Sequence, residues 1–431
     1  MKFLENIFSI KNNSGKKIIT ILGLKIKISL FMFQRIKHFK NNKPTLAIQV
    51  TIMDKGGLEE VVLQLATDKK INEKFNVVII AESTNKGYLA DIAKNSGIPV
   101  YSFFNNKRRI SDLIKTLNIK IVHFHYNIAG IEEYKNNGVK IIYTIHNNYI
   151  WQNKSDIEIR KYFYKFVDLF IAVSTQVKEY FCEKYSIDEN EVKVIPNGIK
   201  YEDTSNIMPF AKNEIGLHED DFVLLNVATF NPNKYHFSQL KALSLLVKKY
   251  ENIKLLFIGN TLDKEYYEKI KEMIFKFKLN NNVKILDYVP KSHIFRYLKT
   301  ADIFIMTSLT EGFSVSMCEA MLFNKPMILT DVGGARDVIK DNDIGIIVPH
   351  AFKSIQSLNI YNVISMYRND EFSFENVEQI TNAIENIYLN KEIWKNKAMH
   401  GNEKIKKYFN VERVCEDYKD CYQTILGGMN E

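Results

Sequence analysis

Two carboxylates eight residues apart, Glu311 and Glu319, sit in the stretch T-S-L-T-E-G-F-S-V-S-M-C-E-A-M-L-F-N-K-P-M-I-L-T-D-V-G-G that runs on from Thr307. Glu311 follows the apolar run Ile303 to Met306, and Glu319 falls about two turns into the helix expected next. Gly312 lets backbone approach a ligand closely. A helix opening near Phe313 to Val315 offers unpaired N–H groups and the positive end of its dipole to an anion or a sugar hydroxyl. Carboxylates accept hydrogen bonds from vicinal hydroxyls. Both acids aimed at one mouth therefore suit a sugar that carries a phosphate. Alone, the pair would read equally well as surface and cap acids. Gly333-Gly334 and Lys234, in F-N-P-N-K, weigh against that.

Other polar constellations are less committed. His123 and His125 alternate on one strand and face the same way. With His146 at a neighbouring strand end they permit a metal site, but no cysteine or carboxylate accompanies them. A polar strand end beside a cleft is the expectation, and no metal is expected. Asp341-Asn342-Asp343 reads as a turn between helix and strand rather than a cation site. Paired-acid hydrolysis would need two carboxylates, yet it would leave Lys234 without a task.

The elements that must position these residues alternate between strand and helix. Leu46 to Thr51 is an apolar strand, Gly56-Gly57 a turn, and Leu58 to Asp68 a helix. Strands are expected at Val77 to Ala81, Val100 to Phe103, Ile119 to His125, Ile141 to Ile145, Leu169 to Val173 and Val192 to Ile195. Pro196-Asn197-Gly198 closes this series, and a second begins after Lys200. Its strands are Val223 to Ala228, Lys254 to Ile258, Val283 to Leu286, Ile303 to Met306, Met327 to Thr330 and Gly345 to Val348. Strands alternating with helices predict parallel sheets covered on both faces. The fold class is α/β, with two facing doubly wound Rossmann-like domains and a cleft at their strand ends. The expected divisions are a leader over 1–44, an N-terminal domain over 45–200, a C-terminal domain over 201–400, and a final helix over 401–431 that crosses back. Residues 350–376 read as an irregular interruption.

Composition narrows the class further. A chain of 431 residues, 46% hydrophobic and 25% charged, is an ordinary globular protein too long for one core. The longest apolar runs are too short to span a bilayer. Cys182, Cys318, Cys415 and Cys421 show no metal or disulfide spacing, which suits a reducing cytoplasm. The formal charge of +9 belongs wholly to residues 1–44, where ten Lys/Arg face Glu5 alone. That leader alternates like a strand over Leu22 to Ile28, with Leu30 to Phe33 following. It is either a strand packed on the body or a contact with an anionic membrane surface on the inner face of the cell membrane. Its basic residues interleave with aliphatic rather than stacking aromatic residues, so no nucleic-acid partner is expected.

E-G-F-S-x4-E-A-M followed by P-M-I-x-T-D-V-G-G resembles the glutamate-x7-glutamate region of retaining GT-B glycosyltransferases of family GT4. G-G-L-E-E-V-V-L-Q-L-A, T-I-H, V-I-P-N-G-I and F-N-P-N-K follow in that family's order, so the resemblance covers about residues 45–425. It implies a nucleoside-diphosphate sugar as donor substrate, no cofactor, and a glycan or lipid-linked saccharide acceptor in bacterial surface polysaccharide biosynthesis. It implies that Lys234 takes the diphosphate charge, with backbone at Gly56 and Gly57 also on the phosphates. Glu319 would hold the ribose, Glu311 the donor sugar, and backbone around Phe313 and Ser314, with Gly312 and Val315, would add sugar and phosphate contacts. His146 would lie near the reacting carbon or the acceptor. Thr229 stands where the family often has a second diphosphate cation, Ser314 where it has glycine, Asp337 where it has glutamate and Asp287 where it has glycine. A phosphorylase or epimerase of the same fold, and a non-catalytic sugar-nucleotide scaffold, are the alternatives.

Overall fold

The computed structural model describes residues 39–103, 106–352, 354–370 and 372–427, together with the backbone of three strands in the leader. The leader strands β1 (Phe8–Asn13), β2 (Lys16–Ile21) and β3 (Leu24–Ser29) form an antiparallel sheet of their own. Leu30 to Phe33 and the leader's side chains, and with them the expected membrane contact, lie outside the described residues.

Two parallel sheets carry the body. The first holds β4 (Thr45–Val50), β5 (Asn76–Ala81), β6 (Val100–Ser102), β7 (Ile119–His125), β8 (Lys140–Ile145), β9 (Leu169–Ala172) and β10 (Val192–Val194), in the order β10-β9-β8-β7-β4-β5-β6. The second holds β11 (Phe222–Val227), β12 (Ile253–Ile258), β13 (Val283–Leu286), β14 (Ile303–Met306), β15 (Met327–Thr330) and β16 (Gly345–Val348), in the order β13-β12-β11-β14-β15-β16. Every residue of β4, β5, β14 and β15 is buried, as strands covered on both faces must be. This is the doubly wound architecture anticipated from the alternation of strands and helices.

Strand order reverses between β4 and β7 in one sheet, and between β11 and β14 in the other. A crevice opens beyond the carboxyl ends at such a point. The Gly56-Gly57 turn leaves the end of β4, and His125 ends β7. Lys234 follows β11, and Glu311 follows β14. The four segments that matter chemically thus leave strands flanking the two switch points.

The chain crosses between domains twice, and the crossings are tied together. Ile199 N–H donates to the Phe409 carbonyl at 2.9 Å, and Val411 N–H donates to the Ile199 carbonyl at 3.0 Å. A Cβ on Gly198 would lie 2.9 Å from Val411 Cα, so glycine permits this approach. Beyond the crossing, the helix Val411–Ile425 packs on the first domain, placing Val414, Cys415, Tyr418, Cys421 and Tyr422 in the core with β4 and β5. Cys415 and Cys421 are free and buried.

Residues 350–376 are more regular than the sequence suggested. They contain the helix Ile360–Arg368, capped by the Asn359 side chain on Asn362 N–H and anchored by buried Val363, Met366 and Tyr367. A helix this short carries too little periodic signal to stand out among Asn, Ser and Tyr. Among the described residues no helix is long and apolar enough to cross a membrane.

Burying a large apolar side chain contributes about 1.5–3 kcal/mol, against a typical domain stability of about 5–15 kcal/mol. A chain ending at Asn410 is therefore expected to lose cooperative unfolding of its first domain in thermal denaturation followed by circular dichroism. An unchanged melt would mean that the final helix adds nothing.

Candidate active site at the seam between the domains

Lys234 ends a single helical turn, Pro232–Lys234, capped by Asn231, whose side chain accepts from Asn233 N–H. Its ammonium meets Glu311 Oε1 at 2.5 Å, and Ser308 Oγ donates to the same oxygen at 2.7 Å. Leu309 N–H donates to the Asn233 carbonyl at 2.7 Å, which fixes the loop after β14 against the loop after β11. Glu311 is only 8% exposed, so its charge is compensated by an ammonium and a hydroxyl. Thr229 lies in the same loop and accepts from Asn231 Nδ2 at 2.7 Å.

Ser314 caps the helix Val315–Leu322, accepting from Met317 N–H, which opens the helix N-terminus where the sequence placed it. Glu319, 9% exposed, lies on this helix with Lys291 Nζ 3.7 Å away. Burial pushes its carboxyl above the usual range. Lys291 opposes the shift, while the carboxylates of Glu202 and Glu60 add to it. Glu60 belongs to the first turn of the helix Gly57–Thr67, so this field links the Gly56-Gly57 turn of the first domain to Glu319 of the second. A Cβ on Gly56 would strike Glu59 Oε2, whereas Gly57 has open space.

Phe313 does not present its side chain to the cleft. It is buried between Gly334 and the ring of Phe409, 5.4 Å away centroid to centroid, and its carbonyl accepts from Asn197 Nδ2 at 3.4 Å. Val315 is 38% exposed. Gly312 also differs from expectation in what it approaches. A Cβ there would lie 1.9 Å from the His146 carbonyl oxygen, so its bareness accommodates the other domain's backbone rather than a ligand.

That contact belongs to a polar seam that sequence reasoning missed. Asn148 Nδ2 donates to Thr310 Oγ1 and to Gln176 Oε1, each at 3.1 Å. Thr310 Oγ1 donates to Asn147 Oδ1 at 3.1 Å, and Gly333 N–H donates to Gln176 Oε1 at 2.9 Å. Asp337 accepts from Thr175 N–H at 3.0 Å and from Thr175 Oγ1 at 2.5 Å. The only sequence hints were the asparagines following T-I-H and the aspartate at 337.

His146 stands half-buried at this seam, with Nε2 2.8 Å from His125 Nδ1. Burial pushes its pKa down to about 3, and burial also drives His123 and His125 well below the ordinary value. All three rings are neutral at physiological pH. His123 hydrogen-bonds Tyr422 and Thr144, His125 hydrogen-bonds His146, and the rings of His123 and His125 pack with centroids 4.1 Å apart. Asp341 and Asn342 both adopt positive φ, as turn residues do, and Asp343 pairs with Lys404.

One wall therefore offers two nearly buried carboxylates, an ammonium and a helix N-terminus. The other offers a neutral imidazole and a glycine turn opening a helix. This suits a ligand with hydroxyls at one end and anionic oxygens at the other.

Residues 55–203 match the family described as Glycosyltransferase Family 4, and residues 208–369 match the family described as Glycosyl transferases group 1. A relative in Methanocaldococcus jannaschii, an uncharacterised glycosyltransferase, is 28% identical over 212 residues, covering 47% of this chain and 51% of that protein. The matched stretch thus spans about half the length of that curated relative. A glycosyltransferase from Rickettsia africae has a similar structure, with a TM-score of 0.73 at 22% identity over 91% of this chain and 100% of that one. HepE of Anabaena, solved with UDP, gives a TM-score of 0.72 at 16% identity over 88% of this chain and 100% of that one. At these identities the likeness is one of fold.

Gly312→Ala is expected to lower thermal stability by about 1–3 kcal/mol, the usual range for overpacking, and to widen the domain pair in small-angle scattering. A variant with unchanged melting and scattering would show that the seam yields without cost.

Proposed function

The chain belongs to glycosyltransferase family 4 and has its two-domain GT-B fold, and from that premise we propose a retaining, metal-independent transferase acting on a nucleoside-diphosphate sugar. The acceptor is a glycan or lipid-linked saccharide in bacterial surface polysaccharide assembly. The observation that carries the reading is the Lys234–Glu311 pair beside Gly312, against which the His146 backbone packs, with the nearly buried Glu319 on the helix that follows.

In this reading the donor replaces an internal ion pair. Its diphosphate takes Lys234 from Glu311, and the freed carboxylate accepts from the donor sugar's hydroxyls. Glu319 accepts from the ribose. Lys234 and the N-terminus of the helix Val315–Leu322 meet the charge that grows on the leaving diphosphate, the term a metal would otherwise supply. The Gly56-Gly57 turn adds backbone N–H groups from the opposite domain. Since groups from both domains must meet one donor, closure of the cleft accompanies binding. UDP is the first nucleotide to test, because the structurally similar HepE binds it. Retention of anomeric configuration, read by NMR of the fresh product, and turnover in the presence of EDTA test the two finer parts of the reading.

Thermal shift with UDP, GDP, ADP and CDP tests the donor site. Ligand at a hundredfold its Kd adds about 2.7 kcal/mol, or roughly 5–10 °C for a domain of about 200 residues. One nucleotide is expected to give this shift, and Lys234→Ala to abolish it; a full shift in the variant would remove Lys234 from the site. Glu319→Gln separates binding from stability. A carboxyl whose folded pKa is raised costs the fold stability as pH climbs through the interval above the unfolded value near 4.5, and that cost persists at higher pH. At pH 7 the glutamine variant should melt no lower than the native protein, yet bind nucleotide roughly ten- to a hundredfold more weakly, the loss of a charged hydrogen bond. Unchanged affinity would exclude the ribose role.

The leader supports a membrane-linked acceptor. Residues 1–44 carry the whole formal charge of +9, and each basic residue at an anionic leaflet contributes about 1 kcal/mol. A chain lacking residues 1–40 should no longer sediment with phosphatidylserine-containing liposomes at low salt. Equal sedimentation with and without the leader would dissociate it from membrane binding.

A further inference from the structure

Glu311 sits in a turn with no helix or strand of its own, so its place is set by groups reaching in from elsewhere. Ser308 Oγ donates to its carboxylate, and the Ser308 carbonyl accepts from Thr330 Oγ1 at 2.7 Å. Leu309 is held from both sides. Its N–H donates to the carbonyl of Asn233, the residue before Lys234, at 2.7 Å. Its carbonyl accepts from His350 Nε2 at 2.8 Å. His350 lies just beyond β16 and is 8% exposed.

A carbonyl only accepts, so Nε2 of His350 must carry a proton. The other ring nitrogen, Nδ1, lies 3.0 Å from the Phe352 N–H nitrogen and 2.8 Å from the Phe352 carbonyl oxygen. The neutral ring accepts from that N–H, and a ring with a second proton donates to that carbonyl instead. Nε2–H stays on Leu309 in both states, so the hold on the turn does not depend on the ring's charge. The same segment of chain grips the lysine turn. Tyr235, the residue after Lys234, is buried at a φ of 45°, a conformation that a bulky residue keeps only where its surroundings impose it. Its hydroxyl donates to the Ser373 carbonyl at 2.5 Å, and Ser373 Oγ in turn donates to the Ala351 carbonyl. Residues 350–376 thus back both loops that carry the Lys234–Glu311 pair.

We propose that His350 is a positioning residue, which through Nε2–H fixes Leu309 and so sets the spacing at which Lys234 and Glu311 meet a nucleoside-diphosphate sugar. Leu309 is two residues from Glu311, and its N–H reaches the loop of Lys234. A shift of this one residue therefore moves the carboxylate and the ammonium together. A buried carbonyl that loses its donor is costly, so without His350 the turn shifts to find another. Spacing matters here, because a misplacement of about 1 Å costs a site on the order of a hundredfold in rate. His350 itself touches no ligand in this assignment. The donor role of the pair rests on the glycosyltransfer reading, but the clamp on Leu309 does not.

His350→Gln and His350→Asn, made in the full chain, divide the ring's two bonds. A glutamine Nε2 is as many bonds from Cα as the histidine Nε2 and can still donate to Leu309. An asparagine Oδ1 matches Nδ1 and can still accept from Phe352 N–H. Each variant keeps one neutral hydrogen bond and loses one, so both should melt below the native chain by similar margins. Hydrogen–deuterium exchange, read by mass spectrometry on the peptide spanning 307–312, should separate them. Exchange at Leu309 N–H should be about tenfold faster in His350→Asn and within about threefold of native in His350→Gln. UDP affinity, measured by calorimetry, should fall about three- to tenfold in the asparagine variant, the loss of one neutral hydrogen bond, and recover in the glutamine variant. Equal exchange in the two variants, or a glutamine variant as impaired as the asparagine one, would overturn the proposal. The exchange contrast in a chain that binds none of UDP, GDP, ADP and CDP would instead overturn the function and leave the clamp standing.

Discussion

Gly312 turns its bare Cα to the carbonyl of His146 so closely that a methyl group would lie 1.9 Å from that oxygen. Packed backbones do not slide past such a contact. It sets the distance between the segment that carries Glu311 and the segment that carries His146, which belong to different sheets and different domains. The hydrogen bonds of Asn147, Asn148, Thr175 and Gln176 to Thr310, Gly333 and Asp337 then fix the angle. The site is a property of this seam rather than of either domain.

Charge is arranged around the seam at a cost to stability. Lys234 and Glu311 compensate each other directly, which allows an ammonium and a carboxylate to remain largely buried beside the seam. Among the described residues, the cation paired with Glu319 is the exposed Lys291, 3.7 Å away, and burial disfavours the charged form of the carboxyl. A carboxylate left under-compensated at a ligand's expected position fits the general pattern in which functional groups are held in environments that the fold alone would not choose.

The C-terminal helix ties both halves into one object. The chain leaves the first domain at Ile199 and returns at Asn410, and the two passages hydrogen-bond side by side. Phe409, on the returning passage, packs its ring against Phe313 of the glutamate loop. The helix Val411–Ile425 then closes a core face of the first domain with Tyr418 and Tyr422. A movement of the domains about these crossings must therefore be felt both at the loop before Glu319 and behind His146.

The sequence by itself determined the alternation of buried parallel strands with helices, and hence the doubly wound class. It also determined the type and spacing of the acids, the lysine and the glycine turns, because those depend on local periodicity and on chemistry carried by single residues. Lys234 and Glu311 were both legible as candidate site residues, but not that they pair, since 77 residues separate them. Gly312 was legible as a place of close approach, though not that the approaching group is another domain's carbonyl. Phe313 was legible within its motif, yet its side chain belongs to the core. The helix Ile360–Arg368 was too short to announce itself. The seam and the bond between His123 and the last helix were invisible, because Asn148 reaches Thr310, and His123 reaches Tyr422, only through tertiary packing. Polar side chains have no period of their own to betray a partner hundreds of residues away; only the register of strands and the docking of the last helix bring them within hydrogen-bond distance.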